Sequence, residues 1–458
     1  MIQRDLAPLE GEIAVIGLAR SGRAAATLLK QHGYNVYASD IASSPETGRC
    51  AEELRTLGIA VDIGRHDLER IARATLVVLS PGVPPSARPV AFARERGVRI
   101  ASEVEVALQF VNGARVIAIT GTNGKTTTTA LVAHLLRGLD LHAVEAGNIG
   151  TPLSEVVARD QHPQWIALEM SSFQLHDTRG LKPNVGVLTN LSPDHLDRYS
   201  SVDDYYADKA RLFANADADS LWVINADDAA VQKMVRHVAG EKFGFSLSKK
   251  TPGYLDARTD GLVVLGSPLI ARKDLPLMGV HNVANALASS LAVMVADRAH
   301  QTKAARKGIA AALRSFRSLP HRLELVGEFG GVQWINDSKA TNVSSTAVAV
   351  DGMDRPTVLL LGGRHKGETY TTLAEGIRSK VKKVIAYGEA APIIATDLRP
   401  VVDIVRLGSD FDEVIRVAKA SARPGDAVLL SPACSSYDMF SNYEERGERF
   451  RALATDEV

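Results

Sequence analysis

Short apolar, often β-branched runs recur along the chain, and each stops at a glycine-rich or polar loop before a stretch with helical spacing. Ile13-Ala14-Val15-Ile16 enters Gly17-Leu18-Ala19-Arg20-Ser21-Gly22, Val36-Tyr37-Ala38 ends at Ser39-Asp40, and Leu76-Val77-Val78-Leu79 ends at Ser80-Pro81-Gly82. Strands that are apolar throughout, alternating with helical stretches, predict a doubly wound parallel sheet. The pattern returns at Val116-Ile117-Ala118-Ile119, Trp165-Ile166-Ala167-Leu168 and Val185-Gly186-Val187-Leu188. It returns once more at Val358-Leu359-Leu360-Leu361, Val384-Ile385-Ala386-Tyr387 and Ala427-Val428-Leu429-Leu430, after a predicted hairpin over 323–336. Residues 243–280 read as short β pieces, followed by an alanine-rich helix reaching about Ala296. The expectation is an α/β chain of three domains, 1–108, 109–317 and 318–458. The first and last are Rossmann-like and the middle one is a P-loop ATPase-type α/β unit.

The middle expectation rests on Gly121-Thr122-Asn123-Gly124-Lys125-Thr126-Thr127, which lies between an apolar strand and a predicted helix. Glycines let backbone N–H groups close around phosphate oxygens at the positive end of a helix. Lys125 would meet the terminal phosphates, and the Thr126 hydroxyl would take Mg²⁺. The stretch is shorter than the usual G-x-x-x-x-G-K-[ST] loop, since Ile119 sits where its first glycine belongs. An ordinary strand-to-helix turn is the alternative.

Other strand ends carry candidate chemistry. Glu169, at the end of an apolar run, reads as a metal-holding carboxylate or a partly solvated strand-end acid. His195, between Asp194 and Asp197, reads equally as a metal ligand or a structural histidine. Lys209 lies on an amphipathic helix, where a solvated lysine is the default. Asn282 and Asn285 are one helical turn apart and either read a base edge or cap the helix. The first turn, residues 17–22, suggests a nucleotide site, but Ala19 replaces the glycine that would let the backbone approach a pyrophosphate. That weighs against a nicotinamide-dependent oxidoreductase.

Composition narrows the field. Lys plus Arg equals Asp plus Glu at 53 each, so no global charge draws the chain to nucleic acid or anionic membrane. Hydrophobic residues at 45% and charged residues at 23% describe an ordinary globular protein. Cys50 and Cys434 are too few for a disulfide framework and suit a reducing compartment. Without an apolar leader or a span-length apolar run, a cytoplasmic monomer is the expectation.

Taken in order, the phosphate loop, Glu169-Met-Ser-Ser-Phe-Gln, Asp194-His-Leu-Asp-Arg-Tyr, His281-Asn, Pro320-His-Arg, Asp337-Ser-Lys-Ala-Thr-Asn and Ser431-Pro-Ala-Cys resemble the Mur ligase family over almost the whole chain. The shortened loop is one that this family carries. The resemblance implies a UDP-substrate-binding first domain, a central ATPase domain and a C-terminal domain for the incoming amino acid. It also implies ATP-dependent addition of glutamate, D-glutamate by expectation, to UDP-N-acetylmuramoyl-L-alanine through an acyl phosphate. An L-glutamate-adding variant and a noncatalytic nucleotide switch stay open as alternatives.

By resemblance, residues 121–127 hold ATP, and Lys125, His195 and Lys209 are catalytic. Thr126, Glu169, His195 and Lys209 serve two Mg²⁺ sites, with Lys209 carbamylated by CO₂. Asn282, Asn285, Arg322 and Asp337 contact ATP. Ser21, Gly82, Asn148, Ser171 and Gln174 follow the uridine-linked substrate, and Lys339, Thr341, Lys366, Ser436, Tyr437 and Tyr443 form the amino-acid pocket. Relatives often differ at the positions of Ala19, Ile41, Ala42, His365, Tyr437 and Tyr443.

Overall fold

The computed structural model describes residues 10–148, 150–159, 162–194 and 198–456. They form two compact units. One runs through Asp274 and takes back Ala284–Arg314; the other comprises Leu275–Val283 and the chain from Ser315 onward.

The first unit holds two sheets. Strands β1 to β5 (Glu12–Ile16, Asn35–Asp40, Ala60–Ile63, Leu76–Leu79, Arg99–Ser102) are all parallel, in the order β3-β2-β1-β4-β5. Their continuous apolar runs have a simple cause. Ile13, Val15, Val36, Leu76 and Val78 pack into a core on one face, while Ala14, Ile16, Tyr37, Val77 and Leu79 pack into a second core on the other. A sheet covered on both faces needs apolar residues at every position. Chain order reverses between β1 and β4, so the first turn of the helix after β1, carrying Ser21, and the loop after β4, carrying Gly82, flank the crevice where open α/β sheets take ligands.

The second sheet of this unit is built from β6 to β14 (Arg115–Thr120, Ala143–Gly147, Trp165–Glu169, Val185–Leu188, Leu221–Asn225, Glu241–Ser246, Gly253–Asp256, Gly261–Val264, Ser267–Ala271). Its order is β14-β13-β12-β11-β10-β9-β6-β8-β7, with antiparallel β12–β13 and β13–β14 pairs, which accounts for the short β pieces read from sequence. β6 lies between β8 and β9, so the phosphate loop, Glu169 and residues 189–192 leave the sheet side by side.

The helix Glu103–Leu108, which follows β5, ties the two sheets together. Ser102 N donates to the Asp177 carbonyl at 2.8 Å, and Glu105 Oε2 accepts from the backbone of Arg179 and Gly180 at 2.9 and 2.8 Å. Glu103 Oε1 accepts from Ser154 N at 2.6 Å, whereas its buried Oε2 has no hydrogen-bond partner. Burial pushes the Glu103 carboxyl up to about 7. Between its ordinary value and that raised one, the folded protein holds a proton that the unfolded chain has released. This stability is present at low pH and is lost as pH rises through about 7. Glu103→Gln is expected to remove up to ~3 kcal/mol of that pH dependence. Thermal unfolding of both proteins at pH 5 and 7.5 checks it; parallel profiles would refute the assignment.

The second unit has one six-stranded sheet of β15 to β20 (Glu324–Phe329, Val332–Asn336, Thr357–Gly362, Val381–Tyr387, Ile404–Arg406, Ala427–Leu430). Its order is β15-β16-β20-β17-β18-β19, and the β15–β16 hairpin is antiparallel as predicted. Leu359, Leu361 and Leu429 face one core, and Val358, Leu360, Val428 and Leu430 the other. Each such side chain contributes roughly 1.5–3 kcal/mol when fully buried. With β20 between β16 and β17, the polar loops after these three strands emerge next to one another.

Candidate active site

In the first unit the phosphate loop is a tight connection from β6 to the helix Lys125–Arg137. Ile119 is fully buried inside β6 and pairs with both neighbouring strands, so the strand occupies the place of the missing glycine. The remaining glycines are required by shape. Gly121 has φ +147°, and a Cβ there would collide with Thr189 Oγ1; Gly124 has φ +79°, and its Cβ would run into the Asn285 amide. Asn190 braces the loop, its carbonyl accepting from Thr122 N at 2.9 Å and its Oδ1 from Asn123 N at 2.8 Å. Lys125 Nζ curls over the loop, donating to the carbonyls of Gly121 at 3.0 Å and Thr122 at 2.6 Å. Thr126 and Thr127 follow in the first helical turn, where backbone N–H groups have no partner within the helix. Asn285 lies against this loop and accepts from Thr128 Oγ1 at 3.3 Å, while Asn282 donates to the Met278 carbonyl at 2.8 Å.

Glu169 is buried at the end of β8. Its Oε1 accepts from Asn148 Nδ2 at 3.1 Å, but its buried Oε2 has no hydrogen-bond partner. A carboxylate oxygen withdrawn from water and left unpaired suits a cation. Ser171 and Gln174 form a reciprocal capping box on the short helix Ser172–His176, so both already have a structural task.

Lys209 is not solvated. Its side chain lies on the face of helix Val202–Ala210 that also buries Tyr205 and Asp208, and the residue is 1% exposed. Nζ donates to the Gly121 carbonyl at 2.7 Å and sits 4.5 Å from the centre of the Tyr205 ring. Burial, reinforced by the Lys125 charge, holds the amine well below the usual lysine range; Asp194, Glu169 and Asp208 oppose this. The helix therefore presents a buried amine, whose charged form is disfavoured, to the phosphate loop. His195 lies outside the described residues, and among the described residues no three His, Cys, Asp or Glu side chains converge as a metal cage.

In the first sheet, Asp40 braces neighbouring loops. Its Oδ2 accepts from Leu18 N at 2.6 Å and its Oδ1 from Ala42 N at 2.8 Å, which fixes the loops after β1 and β2.

In the second unit, the loops after β16, β17 and β20 gather polar side chains. Asp337 is buried and pushed up to about 7 by that burial, against hydrogen bonds from Ser431 Oγ at 2.8 Å and Leu323 N at 3.2 Å and the charge of Arg322. His321, Leu323 and Ala433 adopt left-handed φ of 61°, 43° and 56° in the turns around it. Such strain costs about 1–3 kcal/mol per residue and persists only where the surroundings impose it. Lys339 Nζ lies 3.7 Å from the centre of the Tyr443 ring, and Lys366 Nζ reaches Thr341 Oγ1 at 3.5 Å. Ser436 is buried, whereas Tyr437 is 64% exposed. His365 Nδ1 meets Tyr370 OH at 3.0 Å, and that hydroxyl meets Cys434 Sγ at 3.0 Å.

Sequence reasoning missed Asn190, Tyr370 and Arg446, which brace these loops from behind. Arg446 had no legible signal, because a lysine- or arginine-bearing helix reads as a solvated face. Asn190 did have one: it ends an apolar strand, Val185–Leu188, as Glu169 ends another.

Three family models match in sequence order: a Mur ligase MurD-like N-terminal domain over 11–102, a Mur ligase middle domain over 119–293, and a Mur ligase, glutamate ligase domain over 321–434. The chain is 38% identical over 448 residues to the UDP-N-acetylmuramoylalanine–D-glutamate ligase of Acidobacterium capsulatum, covering 96% of this chain and 95% of that protein. It is 39% identical over 453 residues to the protein of the same name from Salinibacter ruber, covering 96% of each. The fold is similar to a solved pseudomurein peptide ligase type C from Methanothermus fervidus, with TM-score 0.62, 18% identity and coverage of 97% and 99%. It is also similar to the MurF ligase from Thermotoga maritima solved in complex with ADP, with TM-score 0.61, 16% identity and 96% of each chain covered.

Proposed function

The chain belongs to the Mur ligase family, and on that premise we propose that it joins D-glutamate to UDP-N-acetylmuramoyl-L-alanine at the expense of ATP, in peptidoglycan precursor synthesis. The observation that carries this is likeness to ligases of that activity along nearly their full length. Such a reaction fits a cytoplasmic enzyme, and we take it to act as a monomer. Residues 1–108, 109–317 and 318–458 would bind the UDP-linked substrate, ATP and the amino acid respectively.

A carboxylate is a poor electrophile. In the proposed reaction its oxygen takes the γ-phosphoryl group of ATP, releasing ADP and leaving an acyl phosphate. The glutamate amine then attacks the carbonyl carbon, loses a proton, and inorganic phosphate departs as the amide forms. Two anions must approach in the first step, so positive charge has to be in place beforehand. Residues 121–127 would cradle the phosphates, with Lys125 supplying charge to the transferred group; its ammonium already hangs over the loop. Asn285 against the loop, with Asn282, Arg322 and Asp337, would meet the rest of the nucleotide.

Mg²⁺ suits the donors present, since Glu169 keeps an unpaired buried oxygen and Thr126 opens the helix at the loop. When bound it would neutralise phosphate charge. Thr126 and Glu169 would hold one ion, and His195 with a carbamylated Lys209 a second. Carbamylation requires an uncharged amine to attack CO₂ and shed a proton, and burial beside Lys125 favours that uncharged form. Ser21, Gly82, Asn148, Ser171 and Gln174 would line the path of the uridine-linked substrate. Lys339, Thr341, Lys366, Ser436, Tyr437 and Tyr443 would receive glutamate, the lysines facing its carboxylates.

The deciding experiment mixes ATP, Mg²⁺ and UDP-N-acetylmuramoyl-L-alanine with D- or L-glutamate in parallel and follows phosphate release. Release with D-glutamate is expected. Release with L-glutamate alone would identify the variant of opposite enantiomer choice. No release with any amino acid would sink the ligase reading in favour of a nucleotide switch.

A further inference from the structure

We infer that Arg446 is a positioning residue of the amino-acid pocket, holding the segment after β16 and the loop after β20 in one arrangement; the inference rests on the ligase reading above. The candidate pocket residues sit on irregular loops. Lys339 and Thr341 follow β16, Lys366 follows β17, and Ser436 and Tyr437 follow β20. A ligand with two carboxylates and an amine needs these groups at fixed separations. Backbone bonds from Ala433 N to the Ala340 carbonyl and from Arg364 N to the Ser435 carbonyl, both at 2.9 Å, join the loops at single points, and a side-chain tie between the segments after β16 and β20 adds to them.

Arg446 supplies the tie. It is on the helix Tyr443–Thr455 and is fully buried. Nε donates to Ser338 Oγ at 2.9 Å, and Nη2 to the Ser338 carbonyl at 2.8 Å. Nη1 and Nη2 both donate to the Cys434 carbonyl at 3.3 Å. Ser338 Oγ in turn donates to the Tyr443 carbonyl at 2.8 Å, and Asn336 Nδ2 donates to the Gly447 carbonyl at 3.1 Å. One planar guanidinium thus clamps Ser338, which lies between Asp337 and Lys339, to Cys434, two residues before Ser436. Its buried charge is met by two carbonyls and a hydroxyl. Its charge also favours the ionised form of Asp337. A lysine could reach one of these carbonyls but cannot span both, because the rigid fork is what sets the distance between them.

The test uses Arg446→Met and Arg446→Lys in the full chain with two readouts. In steady-state kinetics, the KM for glutamate is expected to rise about tenfold or more in both variants. The KM for UDP-N-acetylmuramoyl-L-alanine should stay within about twofold, because its candidate residues lie far along the chain in other sheets. The second readout needs no turnover. The protein's two cysteines, Cys50 and Cys434, are both buried, and Cys434 belongs to the clamped loop. Labelling with a thiol reagent in native buffer should modify Cys434 at least about tenfold faster in the variants, at a rate insensitive to low urea, while Cys50 stays as slow as in the parent. Unchanged glutamate KM with unchanged Cys434 reactivity would overturn the inference. Equal acceleration at both cysteines would also overturn it, showing general loosening. Should the parent protein release no phosphate at all, the ligase reading fails by itself, and the labelling still judges whether Arg446 holds the loop.

Discussion

Lys125→Ala abolishes phosphate release, with a loss of about a thousandfold or more expected and a fold that survives. The loss follows from where the ammonium sits. Its Nζ is fixed over the loop by the Gly121 and Thr122 carbonyls, at the positive end of helix Lys125–Arg137. The Gly121 carbonyl keeps a donor once the side chain is gone, since Lys209 Nζ also donates to it at 2.7 Å. No neutral residue in residues 121–127 can replace the charge that the transferred phosphoryl group needs as it passes between two anions. Stability should change little, because Lys125 is only part-buried. Its removal also relieves repulsion with Lys209, since each charge disfavours the other. Phosphate release under saturating substrates, read beside the thermal unfolding midpoint, separates the two effects. Near-normal turnover by a folded variant would show that this loop is not the ATP site.

Lys209→Ala cripples the enzyme by about a hundredfold or more and recovers in part with added acetate or formate. A carbamate on Lys209 would be an anionic ligand at the end of a long side chain, and a small free carboxylate can enter the space that alanine leaves. Parent activity should likewise fall in CO₂-depleted buffer and return with bicarbonate, whereas the variant should respond to neither. Stability tests the same residue independently of turnover. The folded-state amine is held below its unfolded value, so the unfolded chain binds the extra proton in the interval between the two. Parent stability therefore rises with pH through that interval, up to about 10.4, and the variant lacks this slope. Full, unrescued activity in Lys209→Ala would return the residue to a purely structural role.

Lys209 also marks where reading the chain had to fail. A helix with apolar, aromatic and charged residues mixed at i, i+3 and i+4 does not declare which face is inward. Tyr205, Asp208 and Lys209 are buried together only because that face meets the phosphate loop, 84 residues earlier in the chain by the distance from Lys125 to Lys209. Asp40 ends a strand near a glycine-rich turn, and only the structure shows that both its oxygens accept from backbone N–H groups of neighbouring loops. Asn148, Ser171 and Gln174 came from the family resemblance alone, and it did not show that Gln174 braces Ser171 or that Asn148 braces Glu169.

What the sequence by itself determined was the architecture and the chemistry of the loops. Strands covered on both faces must be apolar at every position, so the doubly wound sheets, their order along the chain and the polar strand ends were visible without coordinates. The short phosphate loop was visible for a related reason: its two glycines take positive φ, which is a property of a few adjacent residues, although the collisions that also require them are with the distant Thr189 and Asn285. Only the tertiary structure decided which charges are withdrawn from water. The uncharged tendency of Lys209, the unpaired oxygen of Glu169, the raised carboxyls of Glu103 and Asp337 and the buried clamp of Arg446 all depend on segments far apart in sequence meeting. Desolvation is set by everything that surrounds a group in space, and a chain read one residue after another does not contain that quantity.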